Sequence, residues 1–406
     1  MGQVSTENPM PSPAQSSIGW YVHLPFCTTK CGYCDFYSLP TIPGLIDRLI
    51  DALKNELAQR NPRRPVETIF IGGGTPTVLP AEALETILRF VTEGAGPVCE
   101  FTVEANPSST NELKLNLLCQ YGVNRVSFGA QSFNRDDLAV LERIHDPRHI
   151  HESVHAARNA GFKNINLDLI YGIPGQTPER WRETLQTAVD LETEHLSCYA
   201  LMFEPGTTLT RLRNEGRMLP CDEDREAEMF DLTIDVLAGA GFEHYEISNF
   251  AKPGRRCRSN VVYWENREYL GIGPSAVSYL DGERRKNIAD VRRYVEGMGA
   301  GSGSVAVECE RLEPVARAAE TAIQMLRLTD GVRFVRFSTL TGFDARELFS
   351  KQIERFAVMG LIEADFSGFR LTRPGMLVAN RVMEDFLQET PFERCKSGSR
   401  DRADLK

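Results

Sequence analysis

The sequence predicts an α/β protein in which an open, partial (β/α)6 barrel is followed by a helical, winged-helix-like module. Six short apolar runs alternate with longer helical patterns from residue 18 to about residue 203, and this alternation is typical of a parallel sheet. Six strand–helix units are fewer than the eight that close a TIM barrel, so we expect a TIM-like barrel that stays open. A Gly- and Ser-rich stretch, residues 297–304, then precedes helices and a hairpin.

The predicted strands are short runs rich in β-branched and aromatic residues. They cover residues 20–24, 68–71, 100–104, 125–128, 165–170 and 196–202. Two intervening helices carry start signals: Pro80 suits the first position of a helix over residues 80–91, and Thr177 is a predicted N-cap for residues 177–191. A further helical pattern covers residues 222–241.

The chain divides into five predicted segments. They are a disordered tail (1–17), the barrel domain (18–245), a connecting segment and linker (246–304), a C-terminal module (305–390) and a second disordered tail (391–406). Within the C-terminal module, we expect helices over residues 314–326 and 345–359, a small hairpin around residues 366–369 and a final helix.

Composition narrows the function classes. The net charge of −10 argues against a broad nucleic-acid surface, which needs a basic face. No apolar run is long enough for a membrane-spanning helix, and the first residues lack the apolar stretch of a secretory signal. Three of the ten cysteines are clustered and the rest are scattered, which favours a reducing compartment. We therefore expect a cytoplasmic protein.

The clustered cysteines are Cys27, Cys31 and Cys34, in the spacing C-x3-C-x2-C. Iron–sulfur clusters are held by cysteine thiolates, usually four of them, so three can hold three irons of a cubane and leave the fourth iron open. The alternatives are a zinc knuckle or three unrelated thiols. Zinc sites usually pair two C-x2-C units or add histidines at fixed spacing, and no such partner lies nearby.

A second motif, Gly-Gly-Gly-Thr-Pro-Thr at residues 72–77, directly follows the second predicted strand. Glycines there let the backbone approach a ligand closely, although a tight turn would use the same residues. In barrels of this kind, ligands gather at the carboxyl ends of the strands, where the cysteine loop also lies.

The cysteine motif followed by Gly-Gly-Gly-Thr-Pro resembles the radical S-adenosylmethionine (SAM) superfamily. This resemblance implies a [4Fe-4S] cluster whose open iron chelates the amino and carboxylate groups of SAM. The reduced cluster then transfers an electron to the sulfonium, and homolysis gives a 5′-deoxyadenosyl radical. The protein has to orient this chemistry and shield it from water.

Further motifs resemble the HemN/HemW branch, which holds oxygen-independent coproporphyrinogen III oxidases and the heme chaperone HemW. They lie at residues 21–26, 104–107, 128–132, 143–145 and 168–176. The resemblance places SAM contacts at Tyr21, Gly73, Gly74, Thr75, Glu104, Gln131, Arg143 and Asp168. Glu104 can accept from the amine, Arg143 can pair with the carboxylate, and Asp168 can accept from ribose hydroxyls.

Within the branch, three features resemble the chaperone more than the oxidases. The oxidases carry a further cysteine where this chain has Phe36, they have a longer N-terminal extension, and residues 245–250 and 263–279 follow the HemW pattern. The expected partners of such a chaperone are heme, an electron donor and recipient heme proteins such as membrane-associated respiratory enzymes. An oxidase, or a diverged radical SAM enzyme acting on another substrate, is the alternative.

One position departs from the branch. HemW proteins usually have His-Asn-x-x-Tyr-Trp, whose histidine is the branch's proposed heme contact, and this chain has Ser259 in its place. The expected heme contacts are Cys257, Asn260, Tyr263 and Trp264. Arginines on both sides of Cys257 would favour a thiolate. Cys257 as an ordinary small residue, and the two aromatics as core residues, are the alternatives.

Overall fold

The computed structural model describes residues 17–299 and 304–387. Most of the two predicted tails and residues 300–303 of the predicted linker therefore lie outside the described residues. Residues 297–299, predicted as linker, form the end of a helix.

The described part of the chain forms strands from residue 18 to residue 371. They are β1 (Ile18–Leu24), β2 (Phe26–Cys27), β3 (Leu39–Pro40), β4 (Val66–Gly73), β5 (Glu100–Ala105), β6 (Arg125–Gln131), β7 (Ile165–Tyr171), β8 (His195–Ala200), β9 (Glu243–Glu246), β10 (Asn249–Ala251), β11 (Tyr269–Ile272), β12 (Val277–Leu280), β13 (Glu283–Asn287), β14 (Ala306–Arg311), β15 (Val332–Arg333), β16 (Ile362–Ala364) and β17 (Gly368–Leu371).

The described α-helices follow the same order. They are α1 (Leu45–Arg60), α2 (Ala81–Ala95), α3 (Glu112–Gln120), α4 (Arg135–Val140), α5 (Pro147–Ala160), α6 (Pro178–Asp190), α7 (Thr208–Asn214), α8 (Glu223–Gly239), α9 (Arg258–Trp264), α10 (Val291–Gly299), α11 (Pro314–Met325), α12 (Phe334–Thr341), α13 (Ala345–Leu348), α14 (Ser350–Val358), α15 (Arg373–Leu377) and α16 (Ala379–Leu387).

The predicted barrel is confirmed. Strands β1, β4, β5, β6, β7 and β8 are neighbours in this order and are all parallel. Residues 246–304, predicted as a connecting segment, contribute strands to the same sheet: β11 pairs with β1 in parallel, and β12 and β13 continue that edge. The last strand at this edge, β14, comes from the segment predicted as the C-terminal module. Antiparallel β10 and β9 extend the edge beyond β8. The loops that follow the six parallel strands therefore meet at one end of the barrel.

Side chains alternate along each barrel strand, and the inner face is polar. On β5, for example, Phe101 and Val103 belong to the apolar core, whereas Glu100, Thr102 and Glu104 alternate with them. A barrel interior is usually filled with branched apolar side chains. Buried polar side chains cost stability unless they find hydrogen-bond partners, so a polar interior points to a binding role rather than to stabilisation of the fold.

One predicted helix start is confirmed, and two helix predictions differ from the structure. Thr177 caps α6 by accepting from Arg180 N, as predicted, but Pro80 is the residue before α2 rather than its first. The helix predicted over residues 345–359 is broken at Phe349 (φ −120°, ψ 22°) into α13 and α14. The Phe349 ring packs 5.1 Å from the ring of Phe386, so tertiary packing overrides the helical pattern there.

The C-terminal module contains α11 to α16 and a three-stranded sheet in the order β15-β17-β16, which confirms the predicted helices and hairpin. Its core is built on stacked phenylalanines, with Phe369 and Phe356 both parallel to Phe386. Among the described residues, no helix is both long and apolar enough to cross a membrane.

Candidate functional site

The three cysteines lie on the loop after β1, at the carboxyl end of the barrel strands, and each is partly buried. Cys27 Sγ lies 3.6 Å from Thr75 Oγ1, and Arg143 Nη1 lies 3.4 Å from Cys31 Sγ. The structure therefore brings the cysteine loop together with two of the predicted SAM contacts, which are 48 and 112 residues away in sequence.

These residues fit an iron–sulfur cluster. Burial raises the pKa of the Cys34 thiol to about 11 and raises that of Cys27, so their thiolates need compensating positive charge. Arg143 supplies part of it: its Nη2 is fixed by the carbonyl of Gly129 at 2.6 Å, and its buried Nε has no hydrogen-bond partner among the described residues. Bound iron would supply the rest, since a coordinated thiol is deprotonated outright.

No group of three or more His, Cys, Asp or Glu among the described residues is arranged around a single ion. A cubane does not require that arrangement, because each of its irons takes its own thiolate.

The glycine segment lies against the cysteine loop because only glycine fits there. A Cβ on Gly73 (φ +99°) would lie 2.4 Å from the His23 ring, and one on Gly74 would lie 2.5 Å from the Phe26 carbonyl oxygen. Thr75 N then donates to the same Phe26 carbonyl at 2.7 Å. The backbone of this segment is thus fixed beside Cys27, where a ligand of the cluster would lie.

Two buried carboxylates face the interior beneath this segment. Glu104 accepts from Gly73 N at 3.0 Å, and burial, followed by the charge of Asp168, raises its pKa to about 8. Asp168 accepts from Ser127 Oγ at 3.1 Å and from Asn166 Nδ2 at 2.9 Å, and burial raises its pKa as well. The buried guanidinium of Arg125 lowers both pKa values, but burial outweighs it, so the two acceptors suit a further cationic group on a ligand that also carries hydroxyl groups.

Tyr21 and Gln131 complete the predicted set. The Tyr21 hydroxyl lies 3.0 Å from His23 Nδ1. Gln131 has a left-handed backbone (φ +65°) at an irregularity in the β6–β7 pairing, a conformation that costs about 1–3 kcal/mol and clusters at functional sites. All eight predicted SAM contacts therefore lie at or near this end of the barrel.

Sequence reasoning missed two residues of the site. His23 is buried, and its Nε2 lies 3.0 Å from the Tyr37 carbonyl oxygen, so it joins β1 to the cysteine loop. Tyr33 packs against a small apolar cluster that includes Leu141 and Ile173. Its position between Cys31 and Cys34 was the available signal, since an aromatic inside the motif is held beside the thiols.

The predicted heme contacts do not form one site. Cys257 and Ser259 lie beneath Glu100, which accepts from Ser259 N and Arg258 N at 2.9 Å. Glu100 begins β5, so this is the amino end of the barrel, opposite the cysteine loop. Trp264 lies at the junction with the C-terminal module, under the guanidinium of Arg327 at 4.4 Å.

The thiolate expected at Cys257 is wrong. The side chain is buried, and burial raises its pKa to about 12, so the thiol is protonated at neutral pH. The flanking arginines are directed to carboxylates instead: Arg256 pairs with Asp330 at 3.1 Å, and Arg258 lies 3.8 Å from Glu67.

Asn260 lies half-buried in the first turn of α9. Tyr263, by contrast, faces a cleft near the cysteine loop.

The fold and the site together define a radical SAM protein. The family model "Radical SAM superfamily" matches residues 21–188, and the model "HemN C-terminal domain" matches residues 312–378. The structure is similar to that of coproporphyrinogen III oxidase (HemN) from Escherichia coli, with a TM-score of 0.79 over 92% of this chain and 90% of that one. At 23% identity, this likeness shows the fold alone.

Sequence relatives identify the family within the radical SAM superfamily. The chain is 36% identical to the heme chaperone HemW of Bacillus subtilis over 377 residues, which is 91% of this chain and 99% of that protein. It is 32% identical to HemW of Escherichia coli, over 92% of this chain and 98% of that protein. The chain therefore belongs to the HemW family of radical SAM proteins, as the motifs predicted, and membership implies a [4Fe-4S] cluster and SAM.

Proposed function

We propose that this chain binds heme and transfers it to heme-requiring proteins, with a [4Fe-4S] cluster and SAM assisting. The observation that carries the proposal is the match to proteins named heme chaperone HemW over more than nine-tenths of the chain. Recipient proteins such as membrane-associated respiratory enzymes, an electron donor and a cytoplasmic location belong to the same proposal.

In this proposal, Cys27, Cys31 and Cys34 hold the cluster. Tyr21, Gly73, Gly74, Thr75, Glu104, Gln131, Arg143 and Asp168 hold SAM. Bound together, the two cofactors supply one-electron chemistry at the carboxyl end of the barrel. The chain's own contributions are the Arg143 guanidinium beside Cys31 and the buried Glu104 carboxylate beside the Gly73 backbone.

Phe36 favours the chaperone over an oxidase. It stands where the oxidases have a further cysteine, and its side chain is 62% exposed on the cysteine loop. An exposed aromatic there offers a contact surface rather than a thiol.

The test is anaerobic reconstitution of the cluster followed by three assays on one sample. Heme titration followed at the Soret band should show stoichiometric binding, and mixing with an apo heme protein should show transfer. Coproporphyrinogen should not be converted to protoporphyrinogen. Conversion would replace the proposal with the oxidase, and reductive SAM cleavage without heme binding would favour another substrate.

The matched variant is Cys31→Ala. It should lose the cluster absorbance, and the comparison with wild type shows whether heme binding or only heme transfer depends on the cluster.

A further inference from the structure

We propose that the tetrapyrrole site of this chain is the aromatic cleft between the cysteine loop and β11–β12, and that it holds the ring by its faces and carboxylates rather than by a protein ligand to iron. This inference rests on the proposed function. The cleft has a volume of about 300 Å3, and its walls include Phe36 and Tyr37 from the loop, Tyr263 from α9, Tyr269 from β11 and Val277 from β12.

The walls suit a flat apolar ring. The rings of Tyr263 and Tyr269 meet edge to face with centroids 4.5 Å apart, so they form a fixed aromatic corner. Phe36 adds an aromatic side chain that is mostly exposed. Aromatic side chains give large contact area and specific stacking geometry, which is what a porphyrin face can use.

A cation lies at the rim of the cleft, beside the wall residue Val277, whereas the described lining itself carries the carboxylate of Asp35. Lys286 is the direct cross-strand partner of Val277, so the two side chains lie on the same face of the sheet. Its contact with Glu308 is 3.7 Å between two exposed side chains, a pair of little energetic worth. Arg284, two residues earlier on the same face, is already paired with Glu320 at 2.7 Å. Lys286 is therefore the cation that can take a ring carboxylate.

The far wall is held rigidly. The segment that follows β11 begins at Gly273, whose N–H donates to the buried carboxylate of Glu56 at 2.8 Å. The same carboxylate accepts from Tyr294 Oη at 2.5 Å and from Asn287 Nδ2 at 2.8 Å. Ser275, with a left-handed backbone (φ +66°), donates its N–H to the Ile288 carbonyl at 2.9 Å. A preformed wall lowers the entropy cost of binding.

Neither the histidine nor the most buried tyrosine of the cleft is poised to bind iron: burial raises the pKa of the Tyr263 hydroxyl, which disfavours the phenolate that would bind iron, and His23 is already hydrogen-bonded. Both ring nitrogens of His23 are engaged, Nδ1 with the Tyr21 hydroxyl and Nε2 with the Tyr37 carbonyl, each at 3.0 Å. The histidine expected at residue 259, one helical turn before Tyr263, is a serine, whose hydroxyl is a poor ligand for heme iron. Recognition by ring and carboxylates should therefore survive removal of the iron.

The small volume of the cleft is what we expect of a site that passes a porphyrin on to another protein. At about 300 Å3, the cleft is among the smaller ligand pockets of proteins, whereas larger pockets cover most of the ligand surface. A porphyrin would be covered along one edge only, and the other edge would stay accessible to a recipient protein.

The experiment titrates the reconstituted full-length protein with hemin and with metal-free protoporphyrin IX, for wild type and two pairs of matched variants. Phe36→Ala is compared with Phe366→Ala, an exposed phenylalanine on the C-terminal hairpin. Lys286→Gln is compared with Arg285→Gln, whose side chain is equally exposed (42% against 43%) but belongs to the opposite face of β13. The cluster content of each variant is measured as a check on the loop.

We expect wild type to bind the two porphyrins with affinities within about threefold of each other. Phe36→Ala and Lys286→Gln should each weaken both porphyrins by about threefold, as expected for one aromatic contact or one exposed ion pair. Phe366→Ala and Arg285→Gln should bind as wild type does. Added salt should reduce the effect of Lys286→Gln.

Two results would overturn the inference while the proposed function stands. One is hemin binding at least about thirtyfold tighter than metal-free porphyrin, which would require a protein ligand to iron worth about 2 kcal/mol. The other is unchanged binding in both cleft variants. If wild type binds no hemin at all, the proposed function itself fails.

Discussion

Replacing Glu104 by Gln should stabilise the cofactor-free protein, and the gain should grow between pH 6 and pH 8. Burial and Asp168 raise the pKa of Glu104 from its ordinary 4.5 to about 8. Each unit of difference between the folded and unfolded pKa is worth about 1.4 kcal/mol. The carboxyl therefore destabilises the folded state once it is ionised in the unfolded chain.

The sign follows from linkage. A carboxyl with a raised folded pKa has no cost below pH 4.5, a cost that rises as the pH increases toward 8, and a constant cost above that. The cost is about 2 kcal/mol at pH 6 and about 4 kcal/mol at pH 8. The difference of about 2 kcal/mol corresponds to about 3 °C in Tm for a chain of 406 residues.

The assay is thermal unfolding of cluster-free, SAM-free wild type and Glu104→Gln at several pH values. The amide oxygen of Gln can still accept from Gly73 N, so the variant removes the charge and keeps the geometry. Glu82→Gln, on the exposed face of α2, is the control and should show no pH-dependent gain. A Tm difference for Glu104→Gln that is flat between pH 6 and pH 8 would refute the reasoning.

Two further predictions concern the same molecule. Wild-type SAM affinity should improve about fivefold from pH 7 to pH 8, because SAM's positively charged groups favour ionised Glu104. Glu104→Gln should bind SAM more weakly and without this pH dependence. Equilibrium dialysis measures both affinities, and parallel pH profiles would contradict the role of Glu104. Cys257→Ala should leave the heme spectrum unchanged, since the thiol is buried and protonated, and a shifted Soret band would make Cys257 a ligand. Chemical denaturation should show a free energy of unfolding that is lower by about 1 kcal/mol.

Much of the barrel could be predicted from sequence because its signals are local. The six strands are apolar runs, and Thr177 is an N-cap that the local sequence predicts. The break at Phe349 could not be predicted in this way. It depends on the packing of its ring against Phe337 and Phe386, which lie 12 and 37 residues away, and local propensity is silent on such contacts.

One part of the candidate site could likewise be predicted from sequence, and another part could not. The cysteine loop and the glycine segment are contiguous motifs, so their proximity follows from the strand order. The different contacts of Cys257 and Tyr263, with Glu100 and with the aromatic cleft, do not follow from sequence, although both residues lie within one short stretch. Glu100, 157 residues from Cys257, anchors the first turn of α9 at the amino end of the barrel, and the helix then carries Tyr263 toward the cysteine loop.

The position of Ser259 in the barrel determines what the loss of the expected histidine changes. Its backbone N–H is bound by Glu100, and its buried Oγ has no hydrogen-bond partner among the described residues. The same holds for Thr102 Oγ1 and Arg125 Nε on two paired strands of the barrel. Buried polar atoms of this kind are usually satisfied by ordered water. Ser259 lies one helical turn before Tyr263, so a side chain at residue 259 starts from the polar floor of the barrel on the same face of α9 as this wall of the aromatic cleft. In this fold, the serine leaves the described lining residues of the cleft in place and puts a small buried hydroxyl beside Tyr263 where an imidazole would otherwise stand.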